Sequence, residues 1–162
     1  MKKLVLIRHA KSSWEYDVTD HQRPLKKRGF KDAYMVSNFF KNNSLTADFI
    51  ISSDAIRAKT TAEIFISNLN IDESIVRFTH DLYDFSGESL VRVIKSCDDI
   101  INTLMVFGHN HALTDFVNTF GDKYIDNVPT SGLVIIEFDI DNWKGLKLGK
   151  TYYTLFPRDL KS

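Results

Sequence analysis

The sequence contains one cysteine, Cys97, which excludes a disulfide within the chain. It also has no excess of either charge, because 21 Lys and Arg residues balance 21 Asp and Glu residues. Nucleic acids and anionic membrane surfaces attract proteins with an excess of basic residues, so we expect neither as a partner. Low cysteine use is typical of proteins in a reducing compartment, and we therefore expect a cytoplasmic location.

Long apolar runs are absent as well. The basic start at residues 1–3 is followed by only four apolar residues, Leu4–Ile7, before Arg8, which is too short a run for a secretory signal. No run approaches the length of a membrane span. The chain of 162 residues is long enough to bury a core and has no repeat or linker, so we predict one domain over residues 1–162 and a monomer.

Short apolar runs alternate with stretches of helical periodicity. We predict strands at Lys3–Arg8, Asp48–Ser52, Ile75–Phe78, Leu104–Phe107, Leu133–Phe138 and Leu146–Leu155, the last as a strand or hairpin. Helices are predicted from Pro24, which suits a helix start, and then around residues 58–69, 87–97 and 113–120. This alternation predicts an α/β three-layer sandwich. Its mostly parallel sheet carries the strand at 104–107 in the centre and helices on both faces.

Cationic side chains follow three of these strands. Arg8 and His9 end the first strand, Arg57 follows the second, and His109 follows the central one. Neighbouring parallel strands place their carboxyl ends at one edge, where ligands bind in such sheets. A cluster of two Arg and two His side chains is stable around an anion, and a phosphoryl group fits it best. Ordinary structural roles remain the alternative, namely a strand end for Arg8-His9, a solvated helix face for Arg57 and a core histidine for His109.

Several segments resemble the histidine phosphatase superfamily. They read Leu-Ile-Arg-His-Ala-Lys-Ser at 6–12, Ser-Ser-Asp-Ala-Ile-Arg-Ala at 52–58 and Gly-His-Asn at 108–110. The sequence is most similar to the small SixA-type phosphohistidine phosphatase branch, through Asp-His-Gln-Arg-Pro-Leu at 20–25, Arg-Gly at 28–29 and Pro-Thr-Ser-Gly at 129–132. The resemblance runs from residue 4 to about residue 138, and it implies a phosphoglycerate mutase-like fold.

The resemblance also implies roles for the cationic residues. His9 would be the nucleophile that carries a phosphoryl group transiently. Arg8, Arg57 and His109 would bind the phosphoryl oxygens and stabilise their charge in the transition state. No cofactor and no metal ion is implied. A pair formed by His109 and His111 is the alternative metal-binding hypothesis, although no Cys, Asp or Glu cluster completes it in the sequence.

The sequence departs from the family pattern at three positions. Ala10 stands where the superfamily commonly has Gly, and His111 stands where the branch often has Pro. The position that matches the general acid of larger members is Asp84, with Glu88 as the competing carboxylate. Surface roles for both carboxylates remain open. An imidazole leaving group departs readily once protonated, so a phosphohistidine substrate requires little help from an acid.

The segment at residues 80–100 is short, whereas larger relatives insert a lid there. We therefore expect an open pocket that admits a phosphorylated side chain of another protein, and we predict a phosphatase acting on phosphohistidine in a signalling protein. Two alternatives are a small-molecule phosphomonoesterase of the same superfamily, acting on a small phosphate ester, and a non-catalytic module that binds phosphoproteins.

Overall fold

A computed structural model describes residues 1–161, in which helices cover both faces of a six-stranded sheet. The strands are β1 (Lys2–Arg8), β2 (Phe49–Ser53), β3 (Val76–Thr79), β4 (Thr103–Gly108), β5 (Leu133–Phe138) and β6 (Lys150–Leu155). The helices are α1 (Lys27–Phe40), α2 (Ile56–Asn68), α3 (Glu88–Lys95), α4 (Ala112–Phe120) and α5 (Pro157–Leu160). Short 3₁₀ turns lie at Asp20–Gln22, Glu73–Ile75, His80–Leu82 and Trp143–Gly145. Within residues 1–161, no helix has the length and apolarity needed to cross a membrane.

The sheet has the strand order β3-β2-β4-β1-β5-β6. The first four strands in this order are parallel, β5 pairs antiparallel with β1, and β6 pairs antiparallel with β5. Every residue of β4 is buried, and β4 lies next to β1 in the middle of the sheet. The predicted α/β sandwich with a central strand at 104–107 is therefore confirmed.

Alternate side chains of the central strands enter two separate apolar cores, as the period-2 geometry of a strand requires. Leu4 and Leu6 of β1 pack with α3 and α4, whereas Val5 and Ile7 pack with α1 and α2. Burying each such aliphatic side chain contributes about 1.5–3 kcal/mol. Because both faces of the sheet are covered in this way, its edges and strand ends are the surfaces left for a ligand.

The prediction that Pro24 starts a helix is wrong, because α1 begins at Lys27. The backbone around Pro24 is held in extended form instead. The Pro24 carbonyl accepts a hydrogen bond from the Ser13 amide at 2.8 Å, and Ser12 forms an antiparallel bridge with Leu25. Gly29 then lets the first turn of α1 lie directly against the Lys11 carbonyl, where any Cβ would collide with the backbone. These contacts fix the segment that follows β1 over the end of the sheet.

Candidate active site

The end of β1 is held by two neighbouring segments. Arg8 lies opposite Gly108 of β4, and the His9 amide donates to the Gly108 carbonyl at 3.1 Å. On the other side, the Ser131 amide donates to the carbonyls of Arg8 and His9 at 3.1 and 3.2 Å. Gly132 allows this turn to close, since a Cβ there would lie 2.7 Å from the Pro129 carbonyl oxygen. The backbone that carries Arg8 and His9 is thereby fixed at the carboxyl edge of the sheet.

The His9 side chain is buried and held in one tautomer. Its Nδ1 lies 2.8 Å from the Ala10 carbonyl oxygen, which can only accept, so Nδ1 carries the proton and Nε2 keeps its lone pair. Burial, together with the nearby His109, Arg57 and Arg8, lowers the pKa of His9 well below its usual value despite the bond to Ala10. His9 is therefore neutral at pH 7, the form in which an imidazole nitrogen acts as a nucleophile.

His109 lies beside His9, with ring centroids 5.2 Å apart, and is 1% exposed. Burial, followed by the charge of Arg57, lowers the pKa of His109 to about 3, so this ring is also neutral. Its Nε2 lies 2.8 Å from Ser53 Oγ, which in turn accepts from the Ala55 amide at 3.2 Å. In the tautomer in which the Ser53 hydroxyl donates to Nε2, the ring proton lies on Nδ1. Within residues 1–161, this buried Nδ1 has no hydrogen-bond partner.

Two guanidinium groups complete the cluster. Arg8 donates from Nη1 to the Val128 carbonyl at 2.9 Å, while its buried Nε has no acceptor within the described chain. Burial, followed by repulsion from Arg57, lowers the pKa of Arg8 from its ordinary value. Arg57, in the first turn of α2, is 2% exposed. Cations this close destabilise one another, and an anion bound among them relieves that repulsion.

Asp20 is a residue of this site that the sequence analysis did not assign. Its Oδ2 accepts from Arg57 Nη2 at 2.8 Å and from the Tyr83 hydroxyl at 2.5 Å, and its Oδ1 accepts from Arg23 Nη1 at 2.9 Å. Partial burial alone would raise the pKa of Asp20, but the hydrogen bonds from Tyr83, Arg57 and Arg23 outweigh it and lower the pKa strongly. The only signal in the sequence was its position in the segment at 20–25.

Two aromatic residues that follow the turn at His80–Leu82 cover His109. The Tyr83 ring meets the His109 ring edge-on at 5.4 Å between centroids, and the Phe85 ring lies 5.2 Å from it. Phe85 is exposed and Tyr83 is half-buried. Both rings contribute apolar surface beside the cationic cluster. Neither was assigned to the site from the sequence, because their spacing follows no helix or strand period.

Asp84, the predicted general acid, is engaged in its own turn. Its carboxylate accepts from the amides of Ser86, Gly87 and Leu90 at 3.1, 3.1 and 3.0 Å, and from the Ser86 hydroxyl at 3.0 Å. Partial burial would raise the pKa of Asp84, but these bonds, with Leu90 first, lower it. The contacts describe a carboxylate that caps α3 in its ionised form and not one that holds a proton. Glu88 is the exposed first residue of α3.

His111 is exposed and precedes α4, whereas His109 is buried against Ser53. Among residues 1–161, one group of three side chains brings metal-ligand atoms together, and it consists of His21, Asp54 and His80. It contains neither His109 nor His111, so the structure provides no further ligand for the His109/His111 hypothesis.

The geometry defines a small anion site. The lone pair of a neutral imidazole lies among two guanidinium groups and a neutral histidine N–H, with buried donor atoms on Arg8 and His109 that the described protein does not satisfy. Unsatisfied buried donors are rare in folded proteins and call for a partner. A tetrahedral oxyanion supplies several acceptors at once, and a phosphoryl group would bring an electrophilic atom to the imidazole nitrogen.

Comparison with known proteins agrees with this geometry. Residues 4–87 match the family model described as the histidine phosphatase superfamily, branch 1. An uncharacterized protein of Mycobacterium tuberculosis is 26% identical over 140 residues, covering 80% of this chain and 85% of the relative.

Solved structures also share the fold. A putative phosphohistidine phosphatase SixA from Agrobacterium tumefaciens superposes with a TM-score of 0.80 at 22% identity, over 95% of this chain and 97% of the other. The protein histidine phosphatase SixA complexed with tungstate also gives 0.80, at 18% identity, over 98% and 99% of the two chains. The predicted phosphoglycerate mutase-like fold is thereby confirmed.

Proposed function

The chain belongs to the histidine phosphatase superfamily, branch 1, and from that premise we propose that it is a phosphatase that hydrolyses its substrate through a phosphohistidine intermediate on His9. The observation that carries the proposal is the state of His9. Its Nδ1 donates to the Ala10 carbonyl at 2.8 Å, and its lowered pKa keeps the ring neutral, so Nε2 offers a lone pair beside the cations.

Two displacements make up the proposed reaction. In the first, His9 Nε2 forms a bond to phosphorus while the bond to the leaving group breaks and its electron pair departs with that group. In the second, water attacks the phosphoryl group and the phosphorus–Nε2 bond breaks. Inorganic phosphate leaves, a proton of the water passes to phosphate or solvent, and neutral His9 is restored. Both steps pass through states in which negative charge lies on the phosphoryl oxygens.

Arg8, Arg57 and His109 stabilise the negative charge on the phosphoryl oxygens. Arg8 and Arg57 are permanent cations, and the orphaned Nε of Arg8 and Nδ1 of His109 are donors already in place. Donors that need no reorganisation are each worth about 10²–10³ in rate. Because the protein supplies this charge itself, we propose that phosphoryl transfer requires no metal ion.

The substrate class follows from the carboxylates around the pocket. Asp20, Asp54 and Asp84 all have lowered pKa values, so none of them holds a proton at neutral pH. An alkyl phosphate releases an alkoxide and depends on an acid, whereas a ring-protonated phosphohistidine releases neutral imidazole without one. Of the SixA proteins of the same fold, one is named a putative phosphohistidine phosphatase and another a protein histidine phosphatase. We therefore assign this chain to the SixA-type branch, with phosphohistidine in a partner protein as its substrate.

We also propose that the enzyme is a signalling protein of the cytoplasm. Its one thiol, Cys97, is half-buried, and its pKa is raised to about 11, first by burial and then by Asp98. Such a thiol is poorly reactive and does not require an oxidising compartment.

We propose that the enzyme acts as a monomer, because Arg8, His9, Arg57 and His109 all come from one chain. Light scattering on a sizing column tests this.

A substrate panel tests the activity. Turnover is measured on a phosphohistidine protein, a small sugar phosphate and an aryl phosphate, each with and without EDTA. The proposal predicts that kcat/KM is highest for the phosphohistidine protein and unchanged by EDTA. A preference for the sugar phosphate would instead favour a small-molecule phosphomonoesterase. Absence of turnover on all three, with binding of the phosphoprotein retained, would favour a non-catalytic binding module. If activity is lost in EDTA and restored by zinc or magnesium, the reaction requires a metal ion and the proposed metal independence is wrong.

A further inference from the structure

A second cluster of ligating side chains lies beside the phosphoryl pocket. Asp54 Oδ1 is 2.8 Å from His21 Nε2 and 3.1 Å from His80 Nδ1. The three residues come from separate segments: the 3₁₀ turn at Asp20–Gln22, the position directly after β2, and the 3₁₀ turn at His80–Leu82. We propose that His21, Asp54 and His80 form a binding site for a divalent transition-metal ion of the zinc class.

The spacing of the ligand atoms suits one shared ion. One atom from each side chain lies within 4.8 Å of the other two. Zinc binds imidazole nitrogen and carboxylate oxygen at about 2.0–2.2 Å, and adjacent ligands of a tetrahedral ion are then roughly 3.3 Å apart. Small side-chain rotations therefore bring all three atoms into the coordination sphere. Three protein ligands leave a fourth position for water or an anionic ligand.

The donor set selects the class of metal. Two imidazoles and one carboxylate suit zinc, nickel or copper, whereas magnesium and calcium prefer oxygen ligands alone. The Asp54 carboxylate already lies between the two imidazoles, because its Oδ1 contacts a ring nitrogen of each. Metal ions bind neutral imidazole, so binding replaces the two N–H···O bonds by two N–metal bonds and moves each ring proton to the other nitrogen.

The groups around the two rings are compatible with this shift of the ring protons. His21 Nδ1 lies 3.1 Å from the side-chain amide of Gln22, which can turn its oxygen toward a protonated Nδ1. His80 is 70% exposed, so its remaining ring nitrogen reaches water. The His21 and His80 ring centroids are 5.4 Å apart, with a 45° angle between the planes. The rings therefore converge on the carboxylate without being stacked against each other.

The cluster is separate from the groups that bind the phosphoryl oxygens, although it is their neighbour. The His21 ring meets the Tyr83 ring edge-on at 4.9 Å, and the Tyr83 hydroxyl donates to Asp20, which holds Arg57. His80 also meets the Tyr83 ring, at 5.3 Å. An ion at this site would therefore lie next to the substrate entrance while taking no ligand from Arg8, His9, Arg57 or His109.

Metal titration tests the proposal directly. The protein is stripped with EDTA, exchanged into chelator-free buffer and titrated with zinc by calorimetry. Cobalt is then added as a spectroscopic probe of a tetrahedral N/O site. We expect one zinc equivalent with a dissociation constant below about 10 μM, which is roughly −7 kcal/mol of binding free energy. His80→Ala should weaken binding by at least about 100-fold, because loss of even an outer-shell partner costs 10–100-fold.

Two variants control for other histidines. His111→Ala removes an exposed histidine outside the cluster, and His9→Ala removes the ring in the phosphoryl pocket; both should bind zinc as the unmodified protein does. Because His80 is exposed, His80→Ala should fold normally, and circular dichroism verifies this. The proposal is overturned if the unmodified protein shows no saturable binding at 100 μM zinc. It is equally overturned if His80→Ala binds with unchanged affinity, or if either control variant loses binding to the same extent.

Discussion

Asp20 holds the guanidinium of Arg57 at two points. Arg57 Nη1 donates to the Asp20 carbonyl oxygen at 2.6 Å, and Nη2 donates to its Oδ2 at 2.8 Å. The contact joins the 3₁₀ turn at Asp20–Gln22 to the first turn of α2, across 37 positions of sequence. One carboxylate thus sets the position of a cation that faces the phosphoryl pocket, and it does so with its own pKa lowered, so the pair stays ionised.

Asp20 is therefore predicted to be a positioning residue. Asp20→Ala removes the acceptor shared by Arg57 and Tyr83 and should lower kcat/KM by about tenfold, the scale of one hydrogen bond to a charged group. Asp20→Asn keeps an acceptor oxygen and should lose less. Steady-state kinetics measure both, and Asp81→Ala, an exposed carboxylate nearby, is the control.

A double-mutant cycle separates positioning from general damage. If Asp20 acts through Arg57, Asp20→Ala should have little further effect in an Arg57→Ala background. Additive losses in the double variant would mean that Asp20 acts independently of Arg57.

Much of the fold was predictable because its strands and helices carry clear periodicity. The strand at Leu133–Phe138 was predicted to the residue, and the other strands differ by a few residues at their ends. The meeting of Arg8, His9 and His109 followed from parallel topology, since β1 and β4 are in register at Arg8 and Gly108. This argument needs only the order of apolar runs and the residues that follow them.

The irregular segments were not predictable in the same way. Asp20, Tyr83 and Phe85 reach the pocket through loops, whose paths depend on tertiary contacts and not on a repeating pattern. The extended backbone at Pro24 is an example. The bridge between Ser12 and Leu25 holds this segment extended and outweighs the preference of proline for a helix start. The sequence predicted which residues meet at the ends of the strands, but it did not predict which loop residues contact them.

His9→Ala is predicted to abolish turnover while leaving the fold intact, because the covalent route needs the ring nitrogen. Rapid quenching of the unmodified enzyme with labelled substrate should trap a phosphoprotein that is labile in acid and stable in alkali, with the label on residue 9. Peptide mapping locates it. Turnover by His9→Ala at the unmodified rate, or label at another residue, would contradict the mechanism.

The three residues that bind the phosphoryl oxygens should each be required. Arg57→Ala and His109→Ala are predicted to lower kcat by about 10²–10³, the loss for one donor to the transition state. Arg8→Lys keeps the charge but lacks the planar fork, and it should also fail. Vanadate or tungstate should inhibit the unmodified enzyme by occupying the same donors, and the inhibition constants should rise in these variants. A variant with unchanged kinetics would not belong to the site.

Acid should destabilise the protein through His109. A histidine whose folded-state pKa is lowered to about 3 takes up its proton mainly when the chain unfolds. Stability is therefore complete above the unfolded pKa near 6.5 and is lost as the pH falls from there toward 3, by up to about 1.4 kcal/mol per pH unit for one such group. His9 acts in the same direction.

The carboxylates lose their contribution over a lower range. Asp20, Asp54 and Asp84 have lowered pKa values, so their stabilisation declines as the pH falls from about 3.8, their usual value. Urea unfolding between pH 7 and 4.5 thus reports the histidines. His109→Asn should flatten the slope of unfolding free energy against pH in this window. Parallel slopes for the variant and the unmodified protein would show that His109 is not a buried neutral group.

Asp84 is the residue that the family pattern predicts as the general acid of the reaction. From the family pattern, Asp84 would protonate a poor leaving group, and Asp84→Asn would then impair hydrolysis of an alkyl phosphate far more than that of phosphohistidine, by about 10²–10⁴. The contacts of Asp84 with the amides of Gly87 and Leu90 favour a different outcome. We expect Asp84→Asn to lower the unfolding free energy by about 1 kcal/mol, because the amide nitrogen cannot accept the hydrogen bonds of the oxygen that it replaces, and to change both substrates' kcat/KM equally.

Glu88→Gln is the matched control, because it alters the other carboxylate of the same segment without touching the cap. A loss specific to the alkyl phosphate in Asp84→Asn would restore Asp84 as the acid, and the same loss in Glu88→Gln would assign the acid to Glu88. If neither variant distinguishes the substrates, no carboxylate of this segment protonates the leaving group. The selectivity for phosphohistidine would then arise because a ring-protonated phosphohistidine releases neutral imidazole unaided, whereas an alkyl phosphate does not release its alkoxide in this way.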